Sequence, residues 1–198
     1  MKYIVVIPAR YKSKRLPGKP LKKINGVPMI VRTYRQCLKV VKAENIIVAT
    51  ESIKIKKVCD EFSIKSIITS DKCLTGTDRV AEVSKKINAN LYINVQGDEP
   101  FFNPIDLKKL INCALKNPNE IINGYTEIKD KKLYISSSIP KVVFNRKGYL
   151  LYMSRGQIPS SKDKKFIKAW RQVCAYSFPK KLLQVFSKNK KKTLIENI

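Results

Sequence analysis

An α/β fold with a mostly parallel sheet, helices on both faces and an antiparallel insertion is predicted by three observations. Apolar runs that do not alternate occur at residues 3 to 7 and 46 to 49 and, broken only by Asn94, at 91 to 95, as strands buried on both faces require. Segments with apolar residues at helical spacing stand between them, the alternation expected of a parallel sheet. Beyond Leu115 the pattern changes to strand-like stretches joined by a turn.

The elements follow in order. Tyr3 to Ile7 is the first strand, and a polar loop bearing Pro and Gly runs from Pro8 to Pro20. After Pro28, the residues Ile30, Tyr34, Cys37, Leu38 and Val41 recur at helical spacing, so the order is strand, long loop, helix. Ile46 to Ala49 reads as a second buried strand, Ile53 to Phe62 as a short helix and Ile67-Ile68 as a brief third strand. Val80, Val83 and Ile87 mark another helix, Leu91 to Val95 another strand, and Leu107, Leu110, Ile111 and Leu115 a further helix. Strands around Lys141 to Phe144 and Tyr149 to Met153 flank Asn145-Arg146-Lys147-Gly148, a hairpin-turn signal. A strand from Val173 to Phe178 and a helix beginning near Pro179 complete the order.

With 198 residues and 43% apolar content, one domain over 1–198 around one substantial core is expected. No apolar run approaches the roughly 20 residues of a membrane span, and Met1 leads into a strand with no signal-peptide pattern, so a soluble cytoplasmic protein is expected. Cys37, Cys59, Cys73, Cys113 and Cys174 are widely spaced and odd in number, which argues against zinc ribbons and disulfide frameworks. The absence of histidine excludes Ser-His-Asp hydrolysis and histidine acid-base catalysis, leaving carboxylates, lysine, arginine and bound metal. The formal charge of +26 raises nucleic acid as a partner, but the excess lysine is spread along the whole chain, so nucleic acid is not the expected one. That field still attracts a polyanion such as a nucleoside triphosphate.

Such sheets bind ligands at the carboxyl ends of their strands, and three segments lie there. Pro8-Ala9-Arg10 through Arg15-Leu16-Pro17-Gly18-Lys19-Pro20 places two arginines and several lysines on one loop, which suits a triphosphate; in so basic a chain it is also open to an incidental reading. The P-loop and dinucleotide spacings are both absent. In Asn94-Val95-Gln96-Gly97-Asp98-Glu99-Pro100, the carboxylate after a buried strand suits Mg²⁺ against phosphate oxygens, or simply caps a turn. Thr75-Gly76-Thr77-Asp78-Arg79 offers backbone groups to a base, or only a helix N-cap.

Together, Ile7 to Arg10, Arg15 to Leu21, Gly76 to Arg79 and Asn94 to Pro100 closely resemble the 3-deoxy-manno-octulosonate cytidylyltransferases. The similarity continues through Tyr152-Met153-Ser154-Arg155 and Ile158-Pro159, and more weakly through Arg171 to Tyr176. It implies a Rossmann-like fold of the nucleotide-diphospho-sugar transferase type and transfer of CMP from CTP to the anomeric hydroxyl of an acidic sugar, with Mg²⁺ as cofactor. By this resemblance Arg10, Lys19 and Asp98 are catalytic, and Asp98 holds the metal. Pro8, Ala9, Arg10, Arg15, Lys19, Thr75, Gly76 and Arg79 bind the nucleotide, Thr75 and Gly76 lying against cytosine. Gln96, Arg155, Arg171, Gln172 and Tyr176 face the sugar, whose carboxylate matches an arginine fork. A homodimer serving surface-polysaccharide synthesis is implied as well.

Two departures bear on this expectation. Gln172 stands where family members commonly have a histidine, so a related sugar acid also fits. Family members carry a further metal-binding aspartate in a D-T-P-x-D segment near the C-terminus; this sequence stops before it, and Thr193 and Glu196 announce a helix without room for another turn. The expectation is a chain lacking its C-terminal helix and final metal segment, with a homologue that only binds nucleotide as the alternative.

Overall fold

The computed structural model describes residues 1–12, 16–163 and 165–188. Arg15 and the Thr193–Glu196 helix start lie outside the described residues. The described residues pack as two compact units, one of Met1–Ile122 with the chain from Ala175 onward, the other of Asn123–Cys174.

The first unit contains β1 (Tyr3–Ala9), a small hairpin of β2 (Lys23–Ile24) and β3 (Val27–Pro28), α1 (Met29–Leu38), β4 (Ile46–Thr50), α2 (Ile53–Glu61), β5 (Ser66–Ile68), α3 (Gly76–Lys86), β6 (Leu91–Val95) and α4 (Pro104–Lys116). Then come β7 (Ile122–Ile128), α5 (Lys131–Ile135), β8 (Lys141–Phe144), β9 (Leu150–Ser154), β10 (Ala169–Pro179) and α6 (Lys180–Phe186). In the first unit β5, β4, β1 and β6 lie in that order, all parallel, and the Ala175–Pro179 end of β10 pairs antiparallel with β6.

The runs do not alternate because both sheet faces are covered. Val5, Ile7, Ile46, Val48, Leu91 and Ile93 meet side chains from α1, α2 and α4 on one face. Ile4, Val6, Ile47, Ala49 and Tyr92 meet α3 and α6 on the other. At the β2–β3 turn, Asn25 and Gly26 hold positive φ values of 47° and 76°, the backbone a tight hairpin demands; the sequence reading passed over this element.

The second unit closes over a smaller core of Ile128, Tyr134 and Ala169, with Ile139 and Phe166 packed against it. The antiparallel insertion is present: β8 pairs with β9, and Trp170 and Arg171 of β10 pair with Val142 and Lys141 of β8. The expected turn forms, since the Asn145 side chain accepts from Lys147 N and Tyr149 N at 2.9 and 3.0 Å and Gly148 takes a φ of 85°. Three elements here depart from the sequence expectation. β7 is not foreseen and β10 begins at Ala169 instead of Val173, because strand pairing recruits residues whose own pattern is mixed. α5 is not foreseen either, since its five residues are too few to show a helical period.

Candidate active site

The two central parallel strands β1 and β6 are neighbours, so the loops leaving their carboxyl ends emerge side by side. Gly97 allows their close approach. A Cβ there would stand 2.8 Å from the Pro8 carbonyl oxygen, a separation no side chain tolerates. Instead the Gly97 N–H donates to Pro8 O at 3.3 Å, and the buried Thr33 hydroxyl donates to Gly97 O at 3.2 Å. This seats Gln96 and Asp98 beside Pro8, Ala9 and Arg10.

The basic loop returns through Gly18, whose φ of 66° suits glycine and whose N–H donates to Tyr11 O at 2.9 Å. A short 3-10 turn, Lys19–Leu21, starts there. It brings Lys19 Nζ to 2.7 Å from Asp98 Oδ2. Sequence reasoning put both residues in the site but not in contact with each other.

A second wall comes from the chain entering α3. Thr75 and Asp78 form a capping box: the Thr75 N–H and hydroxyl donate to Asp78 Oδ2, both at 2.7 Å, and Asp78 N donates back to Thr75 Oγ1 at 3.3 Å. The local sequence dictates this, since Asp at the third helical position answers a threonine cap. Gly76 lies under Gln96 and Pro8, with the Gln96 amide 3.3 Å from where its Cβ would be.

The two walls enclose a cleft of about 580 Å³. Every described residue assigned to the nucleotide lines it, together with Leu16, Pro20, Gln96, Gly97 and Asp98 from the same segments and two residues from outside them, Cys73 and Leu74. Arg10 and Asp98 are exposed there, and Lys19 is half-buried. Arg79 behaves differently. Its guanidinium is buried, 2.9 Å from Glu51 Oε2, and donates to Thr69 Oγ1 and to Ser70 O at 3.3 Å. Burial, and next the neighbouring Glu82 carboxylate, push the Cys73 thiol up to about 12, so this wall residue is a thiol rather than a nucleophilic thiolate.

Of the residues assigned to the sugar, Gln96 and Tyr176 belong to the first unit; Tyr176 is half-buried and stacks on Phe178 at 5.8 Å. Arg155, Arg171 and Gln172 belong to the second unit. Arg155 donates to the Ser137 and Ser138 carbonyls at 3.0 and 3.1 Å, Arg171 is exposed, and Gln172 N donates to Pro140 O at 3.1 Å.

Among the described residues no cluster of three or more acidic, cysteine or histidine side chains forms a metal cage. Asp98 is a single exposed carboxylate in a cationic cleft. Such a donor set fits an ion that takes most of its ligands from phosphate oxygens and water, as Mg²⁺ does.

A family model described as cytidylyltransferase matches residues 4–197. An 8-amino-3,8-dideoxy-manno-octulosonate cytidylyltransferase from Shewanella sp. is 37% identical over 193 residues, covering 94% of this chain and 78% of the relative. A 3-deoxy-manno-octulosonate cytidylyltransferase from Escherichia coli is 36% identical over 186 residues, covering 94% and 76%. The solved structure of a CMP:2-keto-3-deoxy-manno-octonic acid synthetase complexed with CTP superposes with a TM-score of 0.91 at 34% identity, covering 100% of this chain and 81% of its own.

Proposed function

The chain belongs to the cytidylyltransferase family, and from that premise we propose that it transfers CMP from CTP to the anomeric hydroxyl of 3-deoxy-manno-octulosonate or its 8-amino relative, releasing pyrophosphate. The observation that carries this reading is the cleft at the ends of β1 and β6. There two cationic side chains, Arg10 and Lys19, face one carboxylate, Asp98, opposite a wall built from Thr75 and Gly76.

Arg10 presents a planar fork suited to phosphate oxygens, and Lys19 a point charge. On arrival of the triphosphate, the Lys19 ammonium exchanges Asp98 for a phosphate oxygen, which frees the carboxylate. Both cations stabilise charge that develops on the α-phosphate and on departing pyrophosphate, and they act more strongly as the cleft sheds water. The Gly76 backbone admits a flat base against the wall, and holding base and phosphates together leaves the α-phosphorus open to in-line attack by the sugar hydroxyl. Mg²⁺, held by Asp98 when bound with the nucleotide, supplies Lewis-acid neutralisation of the phosphate charge.

Gln96, Arg155, Arg171, Gln172 and Tyr176 remain the assignment for the sugar; Arg155 and Arg171 are both exposed. The same reading expects a cytoplasmic enzyme of lipopolysaccharide synthesis acting as a homodimer. Exposed Leu150, Leu151 and Tyr152 on β9 offer apolar surface for a second copy.

The test is pyrophosphate release with Mg²⁺, CTP and either sugar, run beside ATP, GTP and UTP and beside Asp98→Ala. Release that requires CTP, a sugar and Asp98 supports the proposal. Release without the sugar, or equal release from all four nucleotides, overturns it.

A further inference from the structure

We propose that Glu51, which the cleft's lining does not include, is a positioning residue that holds both walls of the CTP cleft; this rests on the nucleotide reading above. Glu51 follows β4, the strand beside β1, and its side chain is 9% exposed. One carboxylate oxygen, Oε1, accepts the Tyr11 N–H at 2.8 Å. That bond fixes the peptide directly after Arg10. The Tyr11 carbonyl in turn accepts the Gly18 N–H at 2.9 Å, and Gly18 opens the turn that carries Lys19. The two peptide groups flanking the Tyr11 Cα thus link the segment after Arg10 to the turn that carries Lys19, and Glu51 holds the first of them.

The other carboxylate oxygen, Oε2, lies 2.9 Å from the Arg79 guanidinium, whose side chain is 5% exposed. Arg79 passes the restraint on to Thr69 and Ser70, where the chain begins its run toward Thr75. The Glu82 carboxylate anchors the same stretch, accepting from Ser70 N at 2.7 Å and from Cys73 Sγ at 3.4 Å. Arg79 therefore acts on the nucleotide wall through its partners, with its charge matched by Glu51. The two walls come from segments far apart in sequence, and one carboxylate joins them.

Two double variants isolate this role because both remove the buried charge pair. Glu51→Gln/Arg79→Met keeps an oxygen to accept the Tyr11 N–H, whereas Glu51→Ala/Arg79→Met does not. CTP affinity by calorimetry is expected to be about tenfold weaker in the alanine pair than in the glutamine pair, with Tyr11 amide exchange faster by a similar factor. Equal CTP affinity in the two pairs, or equal Tyr11 exchange, overturns the proposal. A wild-type protein that binds no CTP instead sinks the nucleotide reading beneath it. If the alanine pair does not fold, the wild type supplies the deciding measurement: CTP must slow exchange at the Tyr11 and Gly18 amides, and unchanged exchange there overturns the proposal.

Discussion

Each unit buries a cation, and the two are matched in different ways. Arg79 in the first unit is 4% exposed and faces the Glu51 carboxylate. Lys141 in the second is 0% exposed and pairs with no carboxylate among the described residues; its ammonium donates to the carbonyls of Ser136 and Ile139, both at 2.9 Å, and of Arg155 at 2.6 Å. A full counter-charge makes each partner dependent on the other, so Glu51 and Arg79 hold segments that the chain separates widely. Carbonyl dipoles saturate the donors without cancelling the charge. Desolvation, followed by the nearby Arg155 charge, accordingly holds the Lys141 ammonium below its ordinary value.

The largest expected effect breaks the matched pair. Arg79→Met leaves a buried carboxylate without its cation and should destabilise the protein by about 3–5 kcal/mol in urea unfolding, most of which Glu51→Gln should return. A loss below about 1 kcal/mol would show that the pair is solvated. In the second unit, Lys141→Met removes a charge that burial already penalises but strips three carbonyls of their donor, so a smaller loss of about 1–3 kcal/mol is expected. A loss equal to that of Arg79→Met would erase the distinction.

Acidity separates the two cations further. Because the native Lys141 value lies below its ordinary 10.5, the unfolded chain binds a proton that the folded chain has released between those two values, and stability rises with pH across that window. Relative to Lys141→Met, the wild type should gain stability as pH climbs toward 10.5 and show no such gain below the native value; a flat difference in unfolding free energy would refute the shift. The smallest stability effect belongs to the exposed cleft pair, with side chains 37% and 48% exposed. Lys19→Met should move unfolding by less than about 0.5 kcal/mol yet weaken CTP binding about tenfold by calorimetry. An unchanged CTP affinity would remove Lys19 from the phosphate site.

Much of the first unit was legible because its strands are buried on both faces and read as apolar runs that do not alternate, while Pro28, Thr75 and Asn103 stand just ahead of helices. The cleft's outline was legible for a related reason. Gly18, Gly76 and Gly97 mark places where backbone must turn or approach closely, and charged residues stand beside them. Glu51 was missed although a signal existed, since it follows a buried parallel strand more closely than Asp98 follows β6. α5 carried a signal in Asp130, whose side chain accepts from Lys132 N at 2.8 Å, but its five residues are too few to show a period; β7 carried none. Residues such as Asn123, Gly124 and Thr126 follow no single period and become strand only through their pairing with β10.

By itself, the sequence determined the alternation of the longer strands and helices of the first unit, the turn at Asn145–Gly148 and the cap at Thr75, because each depends on residues a few positions apart. These 198 residues also contain no histidine. Only the tertiary structure decided that Lys19 meets Asp98 across 79 positions, that the Arg79 guanidinium is buried against Glu51, and that Lys141 is ringed by carbonyls. Local pattern cannot reveal these, because whether a charged side chain meets solvent, a counter-charge or a dipole depends on which distant segments the packed sheet brings beside it.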